Sequence, residues 1–132
     1  VPEAKVVRSH SLVQSERLID RFAASGLTHV SNFYLPFEAH PFELWSDITI
    51  VPHIFQDNVA IKLSQSFDNL IHTPEFKVFN FHPIHVFLNT ECLKRYENTR
   101  EIHHIPGELV KHRFSGYGTR TKLIQLLEKS RV

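Results

Sequence analysis

The stretch from Val78 to Thr90 constrains this chain more than any other. Val78, Phe79 and Phe81 read as the end of a buried strand. Two imidazoles, His82 and His85, follow it with Pro83 between them. An apolar run that delivers polar groups at its end is how parallel α/β sheets present chemistry, at the carboxyl ends of their strands. The same residues also suit a turn in which both histidines hydrogen-bond backbone, and spacing alone leaves the two readings open.

The flanking pattern predicts strands alternating with helices. Lys5–Arg8 reads as a short strand. A helix follows, capped by Ser11 or Ser15, with Leu18, Ile19, Phe22 and Ala23 as its apolar stripe and Gly26 as its left-handed stop. Leu27–Leu35 reads as a strand that Pro36 ends, and Pro36–Asp47 as a loop carrying the only tryptophan, Trp45. Ile48–Val51 is a strand that Pro52–Phe55 continues, and Asp57-Asn58 favours a turn. Residues 59–73 carry a loose helical stripe of Ile61, Leu63, Phe67, Leu70 and Ile71. Glu91–Tyr96 reads as a short helix and Asn98–Glu108 as turn-rich. A last helix begins at Thr119 or Thr121 and buries Leu123, Ile124, Leu126 and Leu127. This order predicts an α/β fold with a mainly parallel sheet and flanking helices.

Composition narrows the function classes. A length of 132 residues predicts a single domain over residues 1–132. A net charge of +1, with no basic stripe interleaved with aromatics, argues against a nucleic-acid partner. No apolar run approaches the ~20 residues that span a bilayer, and no signal peptide is visible, so the expected location is cytoplasmic. A single cysteine, Cys92, rules out an internal disulfide and Cys-rich zinc sites. It reads either as a structural thiol in a helical pattern or as a nucleophile beside histidines. There is no methionine, even at position 1, so we expect a truncated chain whose missing part lies upstream.

Several side chains are placed to do chemistry. His10 follows the first strand, where it either faces a site on the sheet edge or stands beside serines that cap the helix. Asp57 follows another strand, where a carboxylate orients a histidine, ligates a metal, or simply makes a turn. His82 and His85 form the best catalytic pair. Neutral imidazole binds zinc and similar divalent ions, and protonated imidazole donates to a leaving group. His103-His104 reads as surface.

Four segments together resemble the polysaccharide deacetylases of the NodB-homology type, and their WbmS-like branch in particular. They are Arg8-Ser9-His10-Ser11-Leu12, Pro52 to Asp57, Phe81 to Thr90, and Gly118-Thr119-Arg120. The resemblance implies a partial (β/α) barrel and a domain of which this chain is the C-terminal part. It implies metal-dependent hydrolysis of N- or O-acetyl groups on a cell-surface polysaccharide or its sugar precursor, with zinc the expected ion. His10 matches the first metal-binding histidine of the family, whereas its second falls on Gln14. Asp57 matches an acidic position after a strand, with Gln56 beside it where the branch often has an acid. His82 matches the general acid. We therefore expect His82 and Asp57 to be catalytic, His10 and His85 to bind metal, and Arg8, Trp45 and Asn89 to meet the carbohydrate. Gln14 and Gln56 also admit a catalytically inactive, carbohydrate-binding relative.

Overall fold

The computed structural model describes residues 2–36, 40–72 and 76–129. It is an α/β structure that divides into two compact units: Val1–Phe55 with Pro74–Phe79, and Gln56–Thr73 with Asn80–Val132.

The first unit is built on a four-stranded sheet in the order β1-β2-β4-β3. Its strands are β1 (Val6–Val7), β2 (His29–Val30), β3 (Phe42–Glu43) and β4 (Thr49–Ile50). β1, β2 and β4 run parallel, and β3 lies antiparallel to β4 with Phe42 opposite Ile50. Helix α1 (Glu16–Ala24) crosses between β1 and β2. The Ser15 hydroxyl accepts the Leu18 N–H at 3.2 Å, and Gly26 at φ 84 closes the helix, both as the sequence predicts. Ile19 packs with Val30, Ile48 and Ile50 in a core flanked by Val7, Phe22, Ala23, Phe33 and Leu44. Each such buried aliphatic side chain stabilises the unit by about 1.5–3 kcal/mol relative to exposure.

The ends of β1 and β2 are stitched by polar groups. Arg8 Nε donates to the Ser31 carbonyl at 3.2 Å. The Ser9 N–H donates to Asn32 Oδ1 at 2.8 Å, and Asn32 Nδ2 donates to Ser9 Oγ at 3.0 Å. β5 (Phe55–Gln56) pairs with β6 (Phe79–Asn80) as a separate two-stranded piece. In the first unit this pairing carries the Ile54 N–H to the Val78 carbonyl at 3.0 Å and sets the Phe55 and Phe79 rings 5.9 Å apart.

The second unit is helical: α2 (Asp57–Leu63), α3 (Phe67–His72), α4 (Pro83–Leu88), α5 (Leu93–Asn98), α6 (Pro106–Leu109) and α7 (Thr119–Lys129), with 3-10 turns at Arg100–Ile102 and Val110–His112. α4 packs against α5 and α7. Asn89 ends α4 in the left-handed region at φ 51, a conformation asparagine tolerates. Its side chain then organises the start of α7. Oδ1 accepts the N–H groups of Arg120 and Thr121 at 3.0 and 3.2 Å, while Nδ2 donates to the carbonyls of Phe114 and Gly116 at 2.9 and 2.8 Å.

Several expectations are corrected. The α/β class with parallel strands holds; the described strands form a four-stranded and a two-stranded sheet and no closed barrel, which neither establishes nor contradicts the expected partial barrel. The expected loop from 36 to 47 contains β3, while its residues 37–39 lie outside the described ones, as does residue 73 of the stripe. That stripe is two helices, separated where Ser64 turns left-handed at φ 50. Asp57-Asn58 opens α2 instead of forming a turn. Residues 83–88, where the sequence left a turn as one of two readings, are helical and follow strand β6. On α7, Ile124 and Leu127 are exposed instead of buried.

Gly118 has no room for a side chain, since a Cβ there would lie 2.0 Å from the Asn89 carbonyl oxygen. Gly107, in contrast, has nothing within 4 Å of that position. Gly118→Ala is expected to cost about 3 kcal/mol by overpacking. Gly107→Ala in α6 is expected to be neutral or to gain up to about 1 kcal/mol. Chemical denaturation of the two variants side by side measures this contrast.

Candidate active site

Asp57, His82 and His85 converge within the second unit. Asp57 is the first residue of α2, directly after β5. His82 is the extended N-cap of α4, at φ −89 and ψ 131, the conformation that a following proline imposes. Pro83 then occupies the first helical position, where its missing N–H is no loss. His85 comes three residues after His82, so both rings lie on one side of the start of α4.

The Asp57 side chain is fully buried, with 0% exposure, while that of His82 is 41% exposed. The buried carboxylate is held by three donors. Oδ2 accepts the His82 backbone N–H at 2.7 Å, and Oδ1 accepts the Asn58 N–H at 2.8 Å. The His82 ring meets the same carboxylate through Nδ1, at 2.5 Å from Oδ1. A carboxylate accepts and does not donate, so this contact places the proton on Nδ1. Proton exchange with solvent or substrate is then left to Nε2. A buried acid that fixes the tautomer and the plane of a half-exposed imidazole is the arrangement of an oriented general acid or base.

His85 lies deeper and is nearly fully buried. Its Nδ1 is 3.2 Å from the hydroxyl of Thr90, itself buried. Burial holds its pKa below the ordinary value; the Asp57 charge opposes this, and His82 and His103 reinforce it. The His82 and His85 rings are 5.8 Å apart at 88°, edge to face. The Tyr96 ring lies 5.0 Å from that of His85, and the His103 ring 4.8 Å from that of Tyr96.

One ligand atom from each of Asp57, His82 and His85 lies within 4.8 Å of the others. A carboxylate and two imidazoles are donors that suit zinc, so this set fits a divalent ion by donor type. A second observation bears on metal in the first unit. Gln14 Oε1, at the position where the family's second histidine is expected, is buried and has no hydrogen-bond partner among the described residues. An acceptor left that way costs about 1–3 kcal/mol, which a bound cation relieves.

The remaining expected site residues are placed as follows. His10 is exposed on a 3-10 turn, and Ser11 and Leu12 after it are both left-handed at φ 53 and 56. Such a conformation costs of order 1–3 kcal/mol per non-glycine residue and is concentrated at functional sites. Arg8 is exposed and tied to Ser31. Trp45 is 66% exposed in the turn between β3 and β4. These three belong to the first unit. Asn89 is buried, with both ends of its amide engaged by the chain. Cys92 is exposed at the N-cap of α5.

Sequence reasoning missed Thr90, Tyr96 and the partial burial of His103. His103 was expected at the surface, but its Nε2 lies 3.2 Å from the buried Thr99 hydroxyl. The available signal for Tyr96 was its place on the inner face of a short helix next to a histidine-bearing segment.

A family profile described as WbmS-like polysaccharide deacetylase matches residues 1–100. Among solved structures, the chain is similar to a proposed polysaccharide deacetylase involved in O-antigen biosynthesis, WbmS from Bordetella bronchiseptica, at 36% identity and a TM-score of 0.82. That match covers 98% of this chain and 57% of the other, so the chain spans little more than half of that protein's length. No protein with curated function matches it significantly.

Folded His85 binds protons less readily than unfolded His85. Its contribution to stability is therefore complete above the ordinary histidine pKa of about 6.5 and is lost as pH falls through that value toward the lowered one. With a chelator present, so that no divalent ion competes with protons, the urea midpoint is expected to fall between about pH 7 and pH 5. His85→Phe is expected to flatten that slope, and urea unfolding at several pH values checks it.

Proposed function

This chain belongs to the WbmS-like polysaccharide deacetylase family, and from that membership we propose that it takes part in metal-dependent removal of N- or O-acetyl groups from a cell-surface polysaccharide or its sugar precursor. The observation that carries this reading is the contact between buried Asp57 and half-exposed His82. Deacetylation releases an amine or an alcohol, and a proton delivered to the departing nitrogen or oxygen makes it the better leaving group. His82 holds that proton at Nε2, while Asp57 keeps Nδ1–H in place and stabilises the imidazolium before transfer.

A divalent ion, zinc by the donor types on offer, supplies polarisation of the acetyl carbonyl and an activated water when bound. His10 is the residue of this chain that we assign to it, and the orphaned Gln14 oxygen supports an oxygen donor on the same segment. Among the residues proposed to meet the sugar, Trp45 offers an exposed ring for stacking and Arg8 an exposed guanidinium at the strand end. Asn89 serves the site by holding the turn at 116–118 against α4.

A second reading rests on a separate observation. The convergence of ligand atoms from Asp57, His82 and His85 within 4.8 Å favours a metal held by these three residues, with His85 as a ligand. In that case His82 is no longer a proton donor.

In the full-length protein, His82→Ala is expected to lower kcat for deacetylation by about 10²–10⁴, and Asp57→Asn by about 10², with KM changing little. Unchanged turnover in His82→Ala removes the acid from the mechanism. Metal analysis of the purified full-length protein separates an active enzyme from an inactive carbohydrate-binding relative. The active enzyme carries stoichiometric zinc, cobalt or nickel and the inactive one carries none.

A further inference from the structure

We propose that His85 is a positioning residue whose ring holds the His82 imidazole in the plane that Asp57 requires. This rests on the reading of His82 as the proton donor and assigns the neighbouring histidine a role other than metal ligation. The argument starts from burial. An imidazole that is only 5% exposed is an expensive choice for plain core, where an aliphatic side chain would pack without a polar atom to satisfy. Here the polar atom is satisfied at a fixed place, because Nδ1 meets Thr90 Oγ1 at 3.2 Å.

The ring also packs against aromatic neighbours: the Tyr96 ring is 5.0 Å from it and the His103 ring 4.8 Å from that of Tyr96, with His103 Nε2 3.2 Å from Thr99 Oγ1. The Thr99 hydroxyl in turn donates to the Arg95 carbonyl at 2.9 Å, which fixes it to α5. A column of rings anchored on α5 therefore ends on His82, at 5.8 Å and 88°. Asp57 fixes the Nδ1 edge of the His82 ring, and the His85 ring stands perpendicular to it. With 41% of the His82 side chain exposed, such a wall limits the excursions that would break the contact with Asp57.

The test uses a spectroscopic signature that does not depend on turnover. In the full-length protein, a short imidazole-to-carboxylate bond gives a strongly downfield, slowly exchanging N–H proton resonance. His82→Ala and Asp57→Asn remove that resonance and so assign it. His85→Ala is expected to broaden or abolish it by exchange with water while circular dichroism shows the fold intact. His85→Phe, which keeps the ring but has no ligating nitrogen, is expected to retain it. In the deacetylation assay, His85→Ala is expected to lower kcat at least about tenfold with KM within about twofold, and His85→Phe to recover most of it. Retention of the resonance in His85→Ala overturns the proposal. Its loss in a folded His85→Phe overturns it as well, and a matching loss of zinc from both variants identifies His85 as a metal ligand instead. If the resonances behave as expected and no acetylated sugar is turned over, the positioning role stands and the deacetylase reading fails alone.

Discussion

A carboxylate without solvent contact is the constraint on which the site depends. Moving an ionised group out of water costs several kcal/mol unless charge and hydrogen bonds replace the water. Asp57 meets that requirement with two backbone N–H groups and one ring N–H, and two of these three donors belong to His82. The partner is thus specified twice, by its backbone and by its side chain. Removing the ring leaves the charge only partly compensated. Moving the backbone of residue 82 disturbs both bonds, so the start of α4 and the start of α2 are positioned as one piece.

The second support is less local. Asn89 closes α4 and caps α7 from about thirty residues away in sequence, and Gly118 must lack a side chain for the two segments to touch. Thr119 adds a hydroxyl and an N–H to the Thr90 carbonyl, at 2.9 and 3.0 Å. Thr90 is also the hydrogen-bond partner of His85. The α7 junction therefore reaches the imidazoles through a single residue. This explains in physical terms why Gly118-Thr119-Arg120, far from the histidines in sequence, belongs with them.

What was legible in the sequence was mostly short-range. The capping of α1 by Ser15, the left-handed Gly26 and the strand around Val30 follow from side-chain chemistry within a few residues. Residues 83–88 were harder, because Ile84, Val86 and Phe87 are strand formers by propensity and a six-residue helix has too little length to show a period. Pro83 at the first helical position was the signal that this segment carried. Asp57-Asn58 suits a turn and the first turn of a helix equally, and only the donors around the carboxylate decide between them. β3 spans two residues on an exposed edge, below what alternation resolves. His82 and Asp57 could be nominated individually, but their contact is a 25-residue closure that spacing does not encode.

The same distinction bears on which chemistry the three converging groups perform. Donor type alone favours a metal, since a carboxylate and two imidazoles within 4.8 Å form a serviceable ligand set. Hydrogen-bond accounting points the other way. Asp57 already satisfies both of its oxygens with protein donors, and one of those donors is the nitrogen of His82 that faces it. A cation bound there would have to displace the ring N–H and leave His82 to find another orientation. A dyad needs no such rearrangement, which supports the proposed reading of His82 as the proton donor. In the other unit, the orphaned Gln14 oxygen is an acceptor that a cation would satisfy. On the proposed reading, the proton falls to the buried carboxylate with its imidazole, and the ion to the segment after β1 that carries His10 and Gln14.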